Sequence, residues 1–287
     1  MPELPEVETI VRSLRNSKEQ PQPDAPSLRE QPGIVGRQIR DVQLLWQRTL
    51  AVPTPDEFDR GMRGQIIQSV DRRGKFLLLN LAEGTLLIHL RMSGDLRVEE
   101  QRAALQPHDR LILNFVDGMR LVFNDTRKFG RAWWVNDAQE VLANLGPEPF
   151  DPALSGFYLY ERWHQSSRAI KTLLLDQNLL AGVGNIYSDE ALFLARIHPS
   201  TQGKALSPAD CERLLSSIRS VLDEGIRRNG ASIDWVYRGG EFQNYFNVYQ
   251  RTGDQCKTCG SVIERIVIGQ RSSHFCPVCQ PAPKINS

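Results

Sequence analysis

The chain lacks any long hydrophobic run and any excess of charge of one sign. No apolar stretch approaches the ~20 residues that a membrane-spanning helix needs, and the acidic, proline-bearing start is unlike a signal peptide. We therefore expect a cytoplasmic protein with no membrane partner. Its 35 Lys and Arg residues nearly balance its 34 Asp and Glu residues, so the whole-chain charge neither requires nor excludes a nucleic-acid partner.

Cysteine is scarce, and four of the five cysteines form two pairs. Each pair is a Cys-x2-Cys motif, and sixteen residues separate them: Cys256 and Cys259, then Cys276 and Cys279. This spacing is typical of a structural zinc site with four thiolate ligands. Residues 261–268 are β-rich and Gly269-Gln270 is a turn signal, so we predict a zinc hairpin that holds one Zn2+. Two disulfides are the alternative, and they suit secreted proteins better.

The order of local patterns predicts two domains and a small appendage, which 287 residues can accommodate at ~100–200 residues per domain. Short β-like runs fill residues 34–135, a proline-rich stretch follows, and helical patterns then take over. We predict the α+β class, with an antiparallel β-sandwich flanked by helices, then a helical domain and the zinc hairpin. The predicted boundaries are 1–145 for the sandwich domain, 146–156 for a linker, 157–250 for the helical domain and 251–281 for the zinc finger.

Individual elements follow from spacing. Leu4, Val7 and Leu14 share one face of an N-terminal helix, and residues 16–32, with four prolines, read as a loop. A long helix is expected between Ser207-Pro208 and Gly230. Five strands are expected at residues 65–70, 75–81, 85–90, 110–115 and 119–123, the last two joined by the hairpin signal Asp117-Gly118.

Pro2 is a candidate nucleophile. If Met1 is removed, Pro2 becomes an N-terminal secondary amine beside Glu3. An α-amino group titrates near pH ~8, against ~10.4 for lysine, so a useful fraction is uncharged at neutral pH. Such an amine can add to an aldehyde carbon and lose water to give an iminium. The residues alone also allow a plainer interpretation, in which proline and acids simply make a good helix start.

A glycine-rich turn precedes a second candidate residue. Gly182 and Gly184 lead into a helix that is expected to start at Asn185. Backbone N–H groups at a helix N-terminus suit a bound phosphate. Asn185 could equally serve as a simple N-cap, and the residues alone leave both interpretations open.

Several separated motifs resemble those of the formamidopyrimidine-DNA glycosylases, in the same order and over nearly the whole chain. They are residues 2–9 (PELPEVET), 73–76 (RGKF), 89–94 (HLRMSG), 125–130 (DTRKFG), 182–187 (GVGNIY) and the four-cysteine finger. The resemblance implies that the helical domain is a helix-two-turn-helix DNA-binding domain. It also favours Pro2 as a nucleophile over Pro2 as a helix start.

The resemblance implies a bifunctional enzyme of base excision repair. Such an enzyme excises oxidised purines, chiefly 8-oxoguanine and formamidopyrimidines, and then cuts the strand by β,δ-elimination through an imine to Pro2. Glu3 would act as the acid at the sugar. Lys75 would contact phosphate and transfer a proton in β-elimination, and Arg271 would grip phosphate and assist δ-elimination. Without the family, Lys75 and Arg271 would be interpreted as solvated surface charges.

The resemblance also implies residues that contact damaged double-stranded DNA. An enzyme that acts on a stacked base must flip it out, so other side chains must fill the gap. Phe129 would wedge between bases, Met92 would fill the vacated stack, and Arg127 would bond the orphaned cytosine. His108, Asn185 and His89 match other DNA-contacting or active-site positions of the family. We expect a monomer in the bacterial cytoplasm or nucleoid.

Two other functions stay open at this point. An endonuclease VIII type of enzyme, which acts on oxidised pyrimidines, shares the N-terminal proline and the zinc hairpin. A non-catalytic damage sensor would be expected to lack Pro2, Glu3 or Lys75, and all three are present. Residues 16–32 are longer than is usual in the family, and residues 232–245, in the region of its lesion-capping loop, have a distinctive sequence, so the lesion range is not fixed by the motifs.

Overall fold

The computed structural model describes residues 1–15, 31–232 and 239–283. The loop expected at residues 16–32, except its last two residues, and the centre of the stretch 232–245 lie outside the described residues. The helices are α1 (Leu4–Arg15), α2 (Pro55–Met62), α3 (Gln139–Leu142), α4 (Gly156–Trp163), α5 (Ile170–Leu175), α6 (Asn185–Leu194) and α7 (Pro208–Arg227). The strands are β1 (Ile39–Leu44), β2 (Leu50–Val52), β3 (Ile67–Arg73), β4 (Phe76–Leu81), β5 (Thr85–His89), β6 (Gly94–Glu100), β7 (Asp109–Phe115), β8 (Met119–Asp125), β9 (Arg131–Val135), β10 (Glu264–Ile268) and β11 (Arg271–Phe275).

These elements form two compact units. The first comprises Met1–Asn144 and Ile226–Glu241, and the second Leu145–Gly225 and Phe242–Ser287. The first unit therefore includes a segment from late in the sequence. The sequence predicted domains that follow one another along the chain, whereas each compact unit combines two separated segments. The two divisions are therefore not equivalent, and the predicted boundaries stay a prediction.

Two β-sheets share one apolar core in the first unit. One sheet has the strand order β1-β7-β8-β6 and the other β2-β9-β5-β4-β3. Alternate residues of both sheets are fully buried in a common cluster, for example Leu79 and Leu113. Burying one face of each sheet against the other is the usual reason that sandwiches form. The expected antiparallel pairing holds throughout except at β2, which runs parallel to β9.

Helix α1 closes this core as its spacing predicts. Val7, Ile10 and Leu14 are buried in the sandwich core, and the helix packs against β3 and β4. On the opposite face Arg12 donates to Glu8 one turn earlier at 2.9 Å. One apolar and one charged face are what anchors a helix on a sheet.

The second unit is helical, with a hairpin at its C-terminal end. α7 buries the face that carries Leu214, Leu215, Ile218 and Leu222, as its 3.6-residue period predicts. The proline-rich stretch before α4 is held by this helix, because Arg219 donates to the carbonyls of Pro149, Asp151 and Leu154. Strands β10 and β11 pair antiparallel across the Gly269-Gln270 turn.

The predicted α+β class, with a β-sandwich, a helical region and a C-terminal hairpin, is thus confirmed. In the described part of the chain, no helix combines the length and the apolar character needed to cross a membrane.

Candidate active site and metal centre

The candidate nucleophile and acid lie just before α1 and are buried. Glu3 exposes only 2% of its surface, and Pro2 is likewise buried. The Glu3 carbonyl accepts the Val7 N–H at 3.1 Å, and the Glu3 N–H donates to Glu6 Oε2 at 2.8 Å. Glu6 thereby satisfies a backbone donor at the helix start and fixes the backbone beside Pro2. Met1 precedes Pro2, so the Pro2 nitrogen becomes an amine only when Met1 is removed.

The same carboxylate reaches a distant part of the first unit. Glu6 Oε1 accepts the Ala231 N–H at 2.7 Å. Gly230, with φ +77°, packs so closely that a Cβ would lie 2.7 Å from Glu6 Oε1, so only glycine fits there. Ser232 and Gly240 then exchange two hydrogen bonds of 2.8 and 2.9 Å. Glu6 therefore ties the backbone beside Pro2 to the base of the segment expected to cap the lesion.

Lys75 lies in a tight turn whose strands support α1. Gly74, with φ +57°, and Lys75 form the two-residue connection between β3 and β4, and Lys75 is only 5% exposed. Arg72, just before the turn, donates to Glu8 on α1 at 3.1 Å. Burial raises the pKa of Glu8, but Arg72 and Arg12 outweigh it and hold that pKa below its usual value. The helix that begins at the nucleophile and the turn that carries Lys75 are thus joined by an ion pair.

His89, at the end of β5, is a buried neutral histidine. Its Nδ1 accepts the Arg91 N–H at 3.0 Å, and its ring stands edge-on to Phe76 at 4.7 Å. Burial, together with the nearby Arg91 and Lys75 charges, lowers its pKa to about 3. Because Nδ1 accepts, the proton of the neutral ring sits on Nε2. His89 can therefore offer an uncharged N–H donor but no cation at neutral pH.

Three loops of the sandwich carry the expected duplex-contacting side chains. Phe129 is 49% exposed, and the Arg127 guanidinium carbon lies 5.2 Å from its ring centre. Met92, on a second loop, is half-buried. His108, on a third, is exposed, and its Nδ1 lies 3.1 Å from the Arg110 guanidinium. A large exposed aromatic ring beside an exposed cation is a feature of a binding surface rather than of a strand core.

Asn185 is the first residue of α6, and Gly184 occupies the N-cap position. Its side chain makes no cap hydrogen bond, and Asn185 Oδ1 is buried without a hydrogen-bond partner. The preceding turn is held by Gln177, which accepts the Gly182 N–H at 2.9 Å and donates to the Val183 carbonyl at 2.8 Å. Asn185 is therefore not the simple N-cap that its sequence position allows.

Arg271 is exposed at the start of β11, on a hairpin anchored by a buried ionic cluster. Lys171 Nζ donates to Asp189 Oδ1 at 2.6 Å and to Ser188 Oγ at 2.7 Å. The other Asp189 oxygen lies 2.9 Å from both the backbone N and the ring Nδ1 of His274. Asp189 thus connects α5 and α6 to β11, three residues beyond Arg271.

The four paired cysteines converge on one point. Their sulfur atoms all lie within 4.8 Å of one another, with 3.9 Å between Cys256 and Cys279 and 3.5 Å between Cys259 and Cys276. A tetrahedral ion with Zn–S bonds of about 2.3 Å places its sulfurs about 3.8 Å apart. The backbone N–H of Cys279 points at Cys276 Sγ at 3.3 Å. The donor set and its spacing fit one zinc ion.

Comparison with known proteins shows which family the chain resembles over nearly its whole length. Models of the formamidopyrimidine-DNA glycosylase N-terminal domain, of the H2TH domain and of the FPG and IleRS zinc finger match residues 25–132, 145–236 and 253–282. A formamidopyrimidine-DNA glycosylase of Chloroflexus aurantiacus is 45% identical over 98% of both chains. The chain belongs to the formamidopyrimidine-DNA glycosylase family. Among solved structures, Lactococcus lactis Fpg bound to abasic-site DNA and to FAPY-dG DNA superposes with a TM-score of 0.87, at 34% identity over 98% of this chain and all of that one.

Membership of the formamidopyrimidine-DNA glycosylase family confirms the expected helix-two-turn-helix domain and the four-cysteine finger. It also agrees with the sulfur geometry, so the cofactor is one structural zinc ion. The ion would be held by Cys256, Cys259, Cys276 and Cys279, and it would fix the hairpin that carries Arg271.

The structure distributes the predicted site residues of this glycosylase over both units. The first unit contains Pro2, Glu3, Lys75, His89, Met92, His108, Arg127 and Phe129, and the second contains Asn185, Arg271 and the four cysteines. Within the first unit, Pro2, Glu3 and Lys75 lie at the ends of packed elements, and the residues expected to contact the duplex lie on neighbouring loops.

Sequence reasoning missed the buried carboxylates that support these residues. Glu6 and Asp189 are two of them. Glu190 accepts the backbone N–H groups of Asn247, Val248 and Tyr249 and so holds the segment that leads into the zinc finger; burial raises its pKa. An acid within a helix otherwise apolar on all sides, such as Asp189 and Glu190 in α6, is the one available sequence signal, since buried carboxylates need partners.

Proposed function

We propose that this chain is a bifunctional DNA glycosylase of base excision repair that excises oxidised purines and then cleaves the strand at the abasic site. The observation that carries the proposal is the pair Pro2 and Glu3, buried at the start of α1 in a member of the formamidopyrimidine-DNA glycosylase family. The buried setting removes water from the reacting groups and strengthens their electrostatic interactions.

The reaction follows from the nucleophile. With Met1 removed, the Pro2 nitrogen attacks C1′ of the damaged nucleoside while Glu3 gives a proton to the ring oxygen O4′. The C1′–O4′ bond breaks and the sugar ring opens; the C1′–base bond then breaks, the base leaves with the proton that the Pro2 nitrogen gives up, and the nitrogen and C1′ share an iminium. Because the iminium is an electron sink, loss of a C2′ proton then expels the 3′ phosphate. A second elimination expels the 5′ phosphate.

Lys75 and Arg271 have supporting roles in this proposal. Lys75, held by its tight turn, contacts a phosphate beside the lesion and moves the proton in β-elimination. Arg271 presents an exposed guanidinium at the tip of the zinc hairpin, a geometry suited to bidentate phosphate binding and to assisting δ-elimination.

Recognition of the lesion uses the three loops of the sandwich. Phe129 enters the base stack, as apolar wedges do in kinked duplexes. Met92 fills the space that the flipped nucleotide leaves, and Arg127 donates to the orphaned cytosine. His108 and Asn185 contact phosphates, Asn185 beside the positive end of α6. His89 supplies a neutral donor beside Lys75.

The partner is damaged double-stranded DNA, which agrees with the DNA-bound structures of the related L. lactis protein. We propose that the enzyme acts as a monomer, since one chain carries every residue of the mechanism. The relatives are bacterial proteins, which supports a location in the bacterial cytoplasm, where the chromosome lies.

Excision from defined duplexes tests the lesion class. We expect faster release of 8-oxoguanine opposite cytosine than of thymine glycol opposite adenine, measured under single-turnover conditions with excess enzyme. A preference for thymine glycol would overturn the purine assignment in favour of the endonuclease VIII type. Glu3→Gln should abolish release of the base while binding to the same duplex persists.

A further inference from the structure

Asp125, at the end of β8, is a buried carboxylate to which no role has been given above. It is 1% exposed. Its Oδ1 accepts the Ser93 hydroxyl and, at 3.2 Å, the Arg127 N–H, and its Oδ2 accepts the Gly130 N–H at 2.7 Å. The Ser93 oxygen in turn accepts the Arg127 N–H at 2.9 Å. One carboxylate therefore joins the loop of Met92 to the loop of Arg127 and Phe129.

The backbone of Asp125 holds the third loop. Its N–H donates to the His108 carbonyl at 2.9 Å, and its carbonyl accepts Arg110 Nε at 2.8 Å. The same guanidinium lies 3.1 Å from His108 Nδ1. All three duplex-contacting loops thus converge on a single residue.

Two glycines show how closely these loops fit together. A Cβ at Gly94 would lie 2.7 Å from the Phe123 ring, and one at Gly130 would lie 2.3 Å from that ring and 3.1 Å from Asp125 Oδ2. The Phe123 ring thus leaves no room for a side chain at either position. The loop ends have no space to move relative to one another without disturbing the core.

Each loop also holds a non-glycine residue in the left-handed region. The φ angles are +53° at Arg91, +77° at His108 and +61° at Lys128. Side chains disfavour this conformation, and it persists only where surrounding contacts determine it. Asp125 and Ser93 supply such contacts to all three loops. Two of the left-handed residues, Arg91 and Lys128, directly precede Met92 and Phe129, and the third is His108 itself.

We propose that Asp125, together with Ser93, is a positioning residue that presents Met92, His108, Arg127 and Phe129 to the duplex as one preformed unit. This inference rests on the roles given to those four residues in the proposed function. Asp125 touches no DNA in this account. It lowers the ordering cost of inserting the wedge and so favours the flipped state of a paired lesion.

Two variants test the proposal, one at the Asp125 carboxylate and one at the Ser93 hydroxyl that donates to it. Asp125→Asn keeps the volume but turns an N–H2 group toward an N–H donor of Gly130 or Arg127. Ser93→Ala leaves the carboxylate in place and removes the hydroxyl between the two loops. We expect each to lower the single-turnover excision of 8-oxoguanine opposite cytosine by about 10- to 100-fold, as loss of one or two buried hydrogen bonds to a charged group implies.

The choice of substrate separates positioning from general damage. An 8-oxoguanine placed in a bulge without an opposite base is already unpaired, so it needs less help to flip. We expect its excision to fall by less than about threefold in both variants. An adduct of Pro2 with a single-stranded abasic oligonucleotide, trapped with borohydride, should form as in the wild type.

Asp41→Asn is the matched control. Asp41 on β1 accepts a hydrogen bond from Asn114 Nδ2 on β7 at 2.6 Å. The two strands belong to the same sheet as β8, but neither contains Met92, His108, Arg127 or Phe129. Wild-type-like excision of the paired lesion by both Asp125→Asn and Ser93→Ala would overturn the proposal. So would an equal loss on the paired and bulged substrates, which would indicate a structural role only.

The proposed function fails separately, if the wild type itself forms no adduct on the abasic oligonucleotide. If Asp125→Asn lowers the melting temperature much more than Asp41→Asn does, Ser93→Ala decides the outcome. Fluorescence of 2-aminopurine beside the lesion gives a second readout of wedge insertion. Its increase on binding should be smaller in both variants at saturating enzyme, and an unchanged increase would contradict the proposal.

Discussion

At the residue scale, the chemistry of each group is set by a neighbour that the local sequence does not reveal. Pro2 and Glu3 can be identified from nine residues of sequence, but the Glu6 bond that holds Ala231 spans 225 positions. His89 is an equally clear case. Its position in the motif suggests a DNA contact but does not reveal its charge. Its burial and the bond from the Arg91 N–H show that the ring is neutral.

His89→Gln should change how the free energy of unfolding depends on pH under acidic conditions. The pKa of His89 is about 3 in the fold, against 6.5 for an ordinary histidine, so between these pH values the unfolded chain binds more protons. Stability therefore rises with pH through this window and is lost as pH falls. At pH 4 the wild type should lose up to about 3 kcal/mol more of its pH 7 unfolding free energy than the variant, measured by urea unfolding.

The same comparison at pH 8 and pH 9 is the control, because the imidazole is neutral in both the folded and the unfolded state there and the difference between the two proteins should stay constant. If the free energy of unfolding falls equally with decreasing pH in the wild type and in His89→Gln, the assignment of a neutral buried ring is contradicted.

At the element scale, periodicity predicted the long helix α7 and five strands that correspond to β3, β4, β5, β7 and β8, and it missed β1, β2 and β9. It did not single out β6, which alternates buried Leu96 and Val98 with charged residues such as Arg97. The charges pair across the sheet, Arg97 with Asp109 at 2.7 Å, so β6 forms because of partners on β7 and β8. Long-range pairing of this kind cannot be read from one segment.

The candidate site divides in the same way. The residues proposed to touch DNA or substrate lie in recognisable motifs, so the sequence itself points to them. The residues that place them, Glu6, Asp125 and Asp189, are ordinary acids in the sequence, and only tertiary packing shows what they hold.

Asp189→Asn should strongly destabilise the second unit. Asp189 and Lys171 are both fully buried, so the variant would leave the Lys171 charge without its carboxylate. Breaking a buried ion pair from one side costs about 3–5 kcal/mol. We expect a loss of that size in the free energy of unfolding, measured by denaturant titration with a probe in the second unit.

Arg168→Gln is the control for this prediction. Arg168 pairs with Asp176 at 3.0 Å, but its side chain is about half exposed. Solvent screens such a pair, so the variant should change the unfolding free energy by about 0–1 kcal/mol. Equal effects of the two substitutions would show that the buried cluster does not anchor the hairpin.

At the scale of the whole molecule, zinc should decide whether the C-terminal hairpin folds. The segment is short, and structural zinc supplies about 10–16 kcal/mol of apparent binding free energy at pH 7. We expect one zinc per chain by elemental analysis. Chelation should abolish DNA binding while the melting transition of the first unit persists.

Cysteine variants sharpen this test. Cys279→Ser should reduce the zinc content and DNA binding together. Cys211→Ser is the matched control, because Cys211 is buried in α7 and burial raises the pKa of its thiol to about 11. Its zinc content should stay at one. Full zinc content in Cys279→Ser would contradict the four-thiolate site.

The central claim, that the Pro2 nitrogen is the nucleophile, is tested most directly by borohydride trapping followed by peptide mass mapping. Two forms of the chain are compared on an 8-oxoguanine duplex, one with Met1 removed and one with a residue retained before Pro2, so that every side chain is the same. The account predicts a covalent DNA adduct on residue 2 in the first form and none in the second. Equal adduct formation by both forms, or an adduct mapped to Lys75, would contradict it.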